Sequence, residues 1–418
     1  MSSTLNVAAK SYAPDQASYR WLVLVAATIA QASACFLVQG FGAIGGYMQN
    51  ALGLSAFQIG LLMSAAQFVP IIGLLVAGEL LDRFSERLVV GIGALIVAGA
   101  LACASFSTTY EMLLLWLIVV GAGYSTAQPG GSKSVAAWFS KSQRGFAMGI
   151  RQAGLPLGGA LAAASLPFVA ASYGWHQAFL VGAAVAFVGG ALFIAVYRSP
   201  VEVTAKPAQN ATSLKASLAA RFSMLRVPAM RKIMWSGITL ISVQYGVLIF
   251  VPLDFRDRFG LPLESVARLL FLAQIAGVVG RIALAAWSDR CKSGRYFPVA
   301  TSLGALIAGF GVLLLVPNAT PTALLAILAI WLGFFGFGWY GPWVAYVSES
   351  APPDRVGFAL GLAMAINQIA IIGSPPLLGF SRDMFGNHAI SWIVLIACLF
   401  VALIMTRAKA GEQESAPA

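Results

Sequence analysis

Apolar residues in this chain come in twelve long runs separated by short polar breaks, with none of the alternation or narrow striping of a soluble fold. The runs lie near 21–46, 57–80, 88–107, 112–136, 145–171 and 176–197, and, after a polar stretch, near 232–253, 264–287, 297–316, 321–346, 357–381 and 389–406. A helix of about 20 residues is about 30 Å long, the thickness of a bilayer's hydrocarbon core, so each run predicts one membrane-crossing helix. An even number of crossings returns the chain to its starting side. The pattern predicts a polar tail over 1–20, a six-helix block over 21–197, a connector over 198–230, a second six-helix block over 231–408 and a polar tail over 409–418. Within the connector, Met224 to Lys232 reads as a short interfacial helix.

With 10% charged residues and a mean hydropathy of +0.83, the chain has too few ionic groups to make a water-facing shell, so lipid is its solvent. The net charge of +11 changes meaning once the cations are placed. Arg83, Arg87, Lys141, Arg144, the stretch 198–232, Arg290, Lys292, Arg295, Arg355, Arg407 and Lys409 flank alternate loops or the tail, whereas the other loops hold Arg256, Arg258, Arg268 and Arg382. This bias predicts that the basic loops and both termini are cytoplasmic in a cytoplasmic-membrane protein, and it accounts for the basic pI with no nucleic-acid partner. The first run is too long for a removable signal and lacks a cleavage site, so it reads as an anchor. Cys35, Cys103, Cys291 and Cys398 are scattered and read as packing residues.

Two GxGxxG strings, Gly40 to Gly45 and Gly336 to Gly341, follow no strand, and in a span such glycines allow close helix approach rather than cofactor binding. There is no Walker loop and no HExxH, and the two histidines, His176 and His388, lie near span ends. No enzyme, cofactor or metal site is expected.

The two blocks repeat each other. Leu62, Ala66-Gln67, Gly73 and Asp82-Arg83 return 207 positions later as Leu269, Ala273-Gln274, Gly280 and Asp289-Arg290, and Gly145 to Gly149 is echoed by Gly357 to Gly361. Internal symmetry on a membrane background points to a secondary transporter. At the end of the second run stands Gly78-Glu-Leu-Leu-Asp82-Arg83-Phe-Ser-Glu-Arg87, an acid and spaced arginines able to clamp a short loop to neighbouring helix ends. These residues, with the partial copy Ala285 to Arg290, resemble the signature of the major facilitator superfamily. The resemblance covers essentially the whole chain. It implies an all-α membrane fold of twelve helices in two pseudo-symmetric six-helix bundles, alternating access, a substrate site between the bundles, and a gating role for Gly78, Asp82, Arg83, Arg87, Asp289 and Arg290.

Two cations interrupt apolar runs. Arg151 lies six residues beyond Gly145, about 10 Å into its helix, and Arg281 lies eight residues before Asp289, about 12 Å from its helix end. A central arginine costs at least about 2.5 to 3.5 kcal/mol on insertion scales, so each needs a partner or a wet cavity. Their repeat counterparts are Ala363 and Leu74, so each charge belongs to one copy, as a specialised site would have it. Gly154 and Gly158 share the face of Arg151, and Gly277 and Gln274 share that of Arg281, which leaves room around each guanidinium. The planar fork of arginine matches a carboxylate.

The superfamily resemblance implies that the fifth and eighth helices meet across the gap, so both arginines can face one cavity. The segment Arg281 to Arg290 also looks like the eighth helix of oxalate/formate and monocarboxylate porters. The substrate expected is therefore a small organic anion, with a proton or counter-anion as coupled partner and a functional monomer as the working unit. Lining candidates are Gln31, Cys35 and Gln39 in the first span, Tyr124 in the fourth, Gln244 and Tyr245 in the seventh, Gln274 in the eighth, Trp339, Tyr340 and Trp343 in the tenth, and Asn367 in the eleventh. Lys133 lies near the cytoplasmic end of its span and can snorkel. Gly154-Leu-Pro156-Leu-Gly158-Gly159 resembles the fifth-helix motif of drug-proton antiporters, which makes a proton-coupled exporter the alternative. A transporter-like solute sensor is the third reading.

Overall fold

A computed structural model describes residues 14–139, 141–199, 228–291, 296–350 and 356–407. Among them are twelve helical stretches long and apolar enough to cross a membrane, and no strand. In order they are Ser18–Leu52, Ala56–Leu74, Glu86–Ala104, Tyr110–Trp138, Phe146–Tyr173, Trp175–Val196, Arg231–Asp257, Leu263–Arg290, Tyr296–Leu315, Thr322–Ser350, Leu362–Phe385 and Ala389–Thr406. They form two pseudo-symmetric bundles of six.

Helix ends follow local signals more than hydropathy. The first helix runs Pro14–Leu52, past its apolar stretch at both ends, and stops where Gly53 turns left-handed at φ +64. The helix thus begins inside the stretch 1–20 expected as a polar tail. Ser55 opens the second span with a capping box closed by Gln58, and Ser85 and Thr109 cap the third and fourth by accepting from Leu88 N (3.4 Å) and Met112 N (3.3 Å). Of the expected interfacial helix at 224–232, residues 228–232 belong to the helix Pro228–Tyr245 that continues into the seventh span, while 224–227 lie outside the described residues, as do the rest of 200–227 and 408–418.

Four spans are interrupted. The second breaks at Val69 because Pro70 has no N–H to donate, whereas its repeat counterpart Gly277 leaves the eighth continuous over Leu263–Arg290. The fourth breaks at Ser125–Thr126 and the tenth at Trp339. Those two breaks fall at nearly matching places in the repeat. In the seventh span a π-helical turn, Gly246–Phe250, precedes Pro252, which cannot donate to the Leu248 carbonyl one turn back.

Glycines sit where helices touch. A side chain on Gly158 would strike the Ala32 carbonyl, and one on Gly333 the Ala273 carbonyl. Gly40 and Gly338, from the two GxGxxG strings, face Ala162 and Gly280, so those strings serve packing.

The bundles are tied together on the face opposite the chain ends, here called the far face. Asp383, at the end of the eleventh span, accepts from the first two amides of the second, Ala56 N (3.1 Å) and Phe57 N (2.8 Å). Arg256 Nη2 donates to Gln49 Oε1 (2.8 Å), joining seventh span to first. One level deeper, Ser64 Oγ donates to Ile372 O (2.6 Å). The repeat-related glutamines both sit on the seam: Gln67 O accepts from Gln368 Nε2 (2.7 Å), and Gln274 Nε2 donates to Gln39 O (3.0 Å). The far face is closed.

Candidate functional site

Arg151 and Arg281 meet at the seam between the bundles. Arg151 is 1% exposed, and its Nη1 donates to Gln31 Oε1 (3.1 Å) while its Nε has no hydrogen-bond partner. Gly131 of the fourth span makes the space: a Cβ there would lie 3.2 Å from Nη1. Arg281 is 5% exposed and bridges the halves, its Nε donating to Phe337 O (3.0 Å) in its own bundle and its Nη1 to Gln152 O (3.1 Å) in the other. The Tyr340 ring lies under its guanidinium at 5.5 Å, a cation–π contact.

All these partners are neutral. No carboxylate among the described residues pairs with either arginine, and neither one points at lipid or folds back on carbonyls of its own helix. Two positive charges therefore remain buried without a counter-charge, which is costly unless an anion arrives. Each lies in the electrostatic range of the other and of Tyr124 and Tyr340, and Arg281 also of Cys35 and Tyr245. Orphaned polar atoms gather on the same helices: Gln31 Nε2 is left a donor, and Gln152 Oε1 and Gln274 Oε1 are left acceptors.

Other candidates divide into levels. Gln274 lies flat against Gly159, and Gln39 serves it through its backbone carbonyl. Gln244 Oε1 accepts from Trp339 Nε1 (3.2 Å), which fixes it inside the second bundle. Tyr340 Oη meets Met364 Sδ at 3.0 Å. Asn367 is buried with both amide atoms unpartnered, beside Trp343 and Gly237 rather than beside the arginines. Gln152 and Gly131 were not among the candidates. Gln152 was legible as a second polar residue next to Arg151, but Gly131 carried no signal apart from the fourth span's other glycines.

The loop motif does not form the expected clamp through Arg83. That side chain pairs with Glu79 one turn back (2.6 Å), both groups being about two-thirds exposed or more at 70% and 66%, an i,i+4 contact worth about 0.3 to 0.5 kcal/mol. A Cβ on Gly78 would meet open space, and Arg87, Asp289 and Arg290 are exposed. The Asp82 side chain lies outside those described. Lys133 is pinned rather than snorkelling freely: its Nζ lies 3.5 Å from Glu86 Oε1 and donates to Leu81 O, tying fourth, third and second spans. Just past the end of the sixth span, burial and the neighbouring Glu86 carboxylate push the Tyr197 phenol up to about 12.

A sequence profile described as Major Facilitator Superfamily matches residues 27–375. The probable L-galactonate transporter of Escherichia coli (strain K12) is 28% identical over 374 residues, covering 85% of this chain and 81% of its own length. The probable galactarate/D-glucarate transporter GudP of Bacillus subtilis (strain 168) is 23% identical over 373 residues, covering 82% and 81%. Monocarboxylate transporter 13 of Bos taurus is 26% identical over 398 residues, covering 92% and 88%. In fold, the chain is similar to the crystal structure of the nucleoside transporter NupG, with a TM-score of 0.72 at 17% identity over 94% of this chain and 100% of that one.

Proposed function

This chain belongs to the Major Facilitator Superfamily, and we propose that it moves a small organic anion, a carboxylate, across the cytoplasmic membrane by alternating access, with both termini in the cytoplasm. The observation that carries this reading is the pair of buried guanidinium groups, one from each bundle, whose protein partners are all neutral. A carboxylate placed between them supplies the missing charge and accepts charge-assisted hydrogen bonds from both bundles at once. Relatives named for galactonate, galactarate/glucarate and monocarboxylate transport support the same class of cargo.

A ligand held by both halves also has a reason to move them. In this conformation the far face is latched while Arg83 on the opposite face is unclamped, as reciprocal gates require. The Asp383 cap is worth about 1 kcal/mol, so Asp383→Ala is expected to favour the far-open form about fivefold. Spin-label distances between positions 54 and 384 read that shift; an unchanged distribution would remove Asp383 from the gate.

A thermal-shift screen of mono- and dicarboxylates against purified protein tests the cargo. A ligand at a hundred times its Kd stabilises by about 2.7 kcal/mol. Wild type is expected to gain several degrees with one carboxylate class and Arg151→Gln to gain none. Uptake of that carboxylate into proteoliposomes is the functional check, and binding without movement under any gradient would identify a sensor instead.

A further inference from the structure

The far face holds a second cluster of charge. A cavity of about 440 Å³ is lined there by Asp254, Asp257, Arg258, Asn318, Arg382 and His388, among others. His388 is 2% exposed, and neither ring nitrogen has a hydrogen-bond partner. Its imidazole stacks on Trp392 (ring centroids 5.8 Å apart) and lies near Phe250, with Nε2 3.8 Å from Asp257 Oδ2. That separation is too long for a hydrogen bond and short enough for an ion pair once the ring is charged.

The charged groups facing this imidazole come from two spans. From the seventh, Asp254 is occupied by Trp392 Nε1 (2.9 Å), and Arg258 by the Leu313 carbonyl (2.7 Å) and Asn318 Oδ1 (3.0 Å). Asp257 holds Arg256 Nη2 (2.7 Å) on one oxygen and, on the oxygen nearest His388, Arg382 Nη2 (2.8 Å) from the eleventh. Each of those arginines leads to a tie between the bundles. Arg256 grips Gln49, and Arg382 Nη1 lies 3.6 Å from the Asp383 oxygen that accepts from Ala56 N. Asp257 thus stands behind both latches.

We propose that His388 with Asp257 is a proton-binding site, reached from the far side, whose occupation loosens both latches and so links proton entry to opening of that face. A proton taken up at Nε2 makes the imidazole a cation at ion-pair distance from Asp257 Oδ2, the oxygen on which Arg382 depends. The carboxylate is then shared among three cations, and its hold on Arg382 and Arg256 weakens. By linkage, opening raises the proton affinity of the site by the same factor that protonation raises the open fraction. Imidazole is the side chain whose ordinary titration falls between pH 5 and 8. The proposal stands whether or not the cargo is a carboxylate.

The test uses the full chain in nanodiscs, with Leu54→Cys and Met384→Cys carrying spin labels and the native cysteines replaced. Distances are recorded from pH 8.5 to pH 5. The chain has two histidines, so subtraction of His176→Gln assigns the His388 NMR resonance directly. The far-open population is expected to rise at least fivefold on acidification, with its midpoint coinciding with that of the His388 resonance. His388→Gln is expected to hold the high-pH distribution throughout, and Asp257→Asn to give the open one throughout. A wild-type pH response surviving in His388→Gln overturns the proposal. Should that variant not fold, a His388 resonance that fails to titrate, or whose midpoint departs from that of opening by more than one pH unit, does so equally.

Discussion

Replacing Arg281 by lysine is expected to cut carboxylate transport about a hundredfold while the protein still inserts and folds. The positive charge survives this change, but the geometry does not. Arg281 reaches Phe337 O and Gln152 O with two different nitrogens, so one side chain holds both bundles and lies over Tyr340. An ammonium is a point donor that cannot span those carbonyls and still present a flat edge to a carboxylate. Hydrogen bonds to charged groups contribute about 1.5 to 3 kcal/mol each, so losing one bridge and half of a bidentate contact costs about 3 kcal/mol, or about a hundredfold. Initial uptake rates in proteoliposomes, with melting temperature as the folding control, measure this. Wild-type affinity and turnover in Arg281→Lys would remove the residue from the site.

Gly42→Ala, a single added methyl, is expected to lower uptake at least tenfold and to leave carboxylate binding intact. Gly42 belongs to the first span and packs against the Leu248 carbonyl of the seventh, in the π-helical turn. A methyl there collides with backbone, which no rotamer change relieves, and the Leu270 side chain stands 3.2 Å away on another side. Overpacking typically costs about 1 to 3 kcal/mol, and since this contact is made with the far face closed, the strain is expected to fall on that state. The variant should therefore rest far-open, with long distances between positions 54 and 384 and a normal thermal shift with ligand. Uptake within twofold of wild type would show that this contact does not set the closed state.

What was legible in the sequence follows from which interactions leave a composition signature. Hydrocarbon solvation does, so the twelve spans, the twofold repeat and the depth of Arg151 and Arg281 could be read from spacing. Helix ends were less legible, because Gly53, Ser55 and Ser85 set them by backbone geometry and capping rather than by hydropathy. The partners of Arg281 were illegible because they are main-chain carbonyls, which every residue has. The far-face latch was hidden differently: Arg256, Asp257, Arg382 and Asp383 look like ordinary loop residues until the fold brings helix ends 125 and more positions apart into contact. Arg83 shows how conformation enters: the motif suits a clamp, and in this conformation its side chain is engaged with its own helix.

Calorimetric titration of the strongest carboxylate from the thermal-shift screen, alongside its isosteric carboxamide, tests the central claim most directly. With wild type, Arg151→Gln and Arg281→Gln compared, the acid is expected to bind wild type and to lose at least about thirtyfold in affinity in each variant, or about 2 kcal/mol, while the amide binds none of the three. An amide that binds wild type as tightly as the acid, or an acid that binds both variants with unchanged affinity, would contradict it.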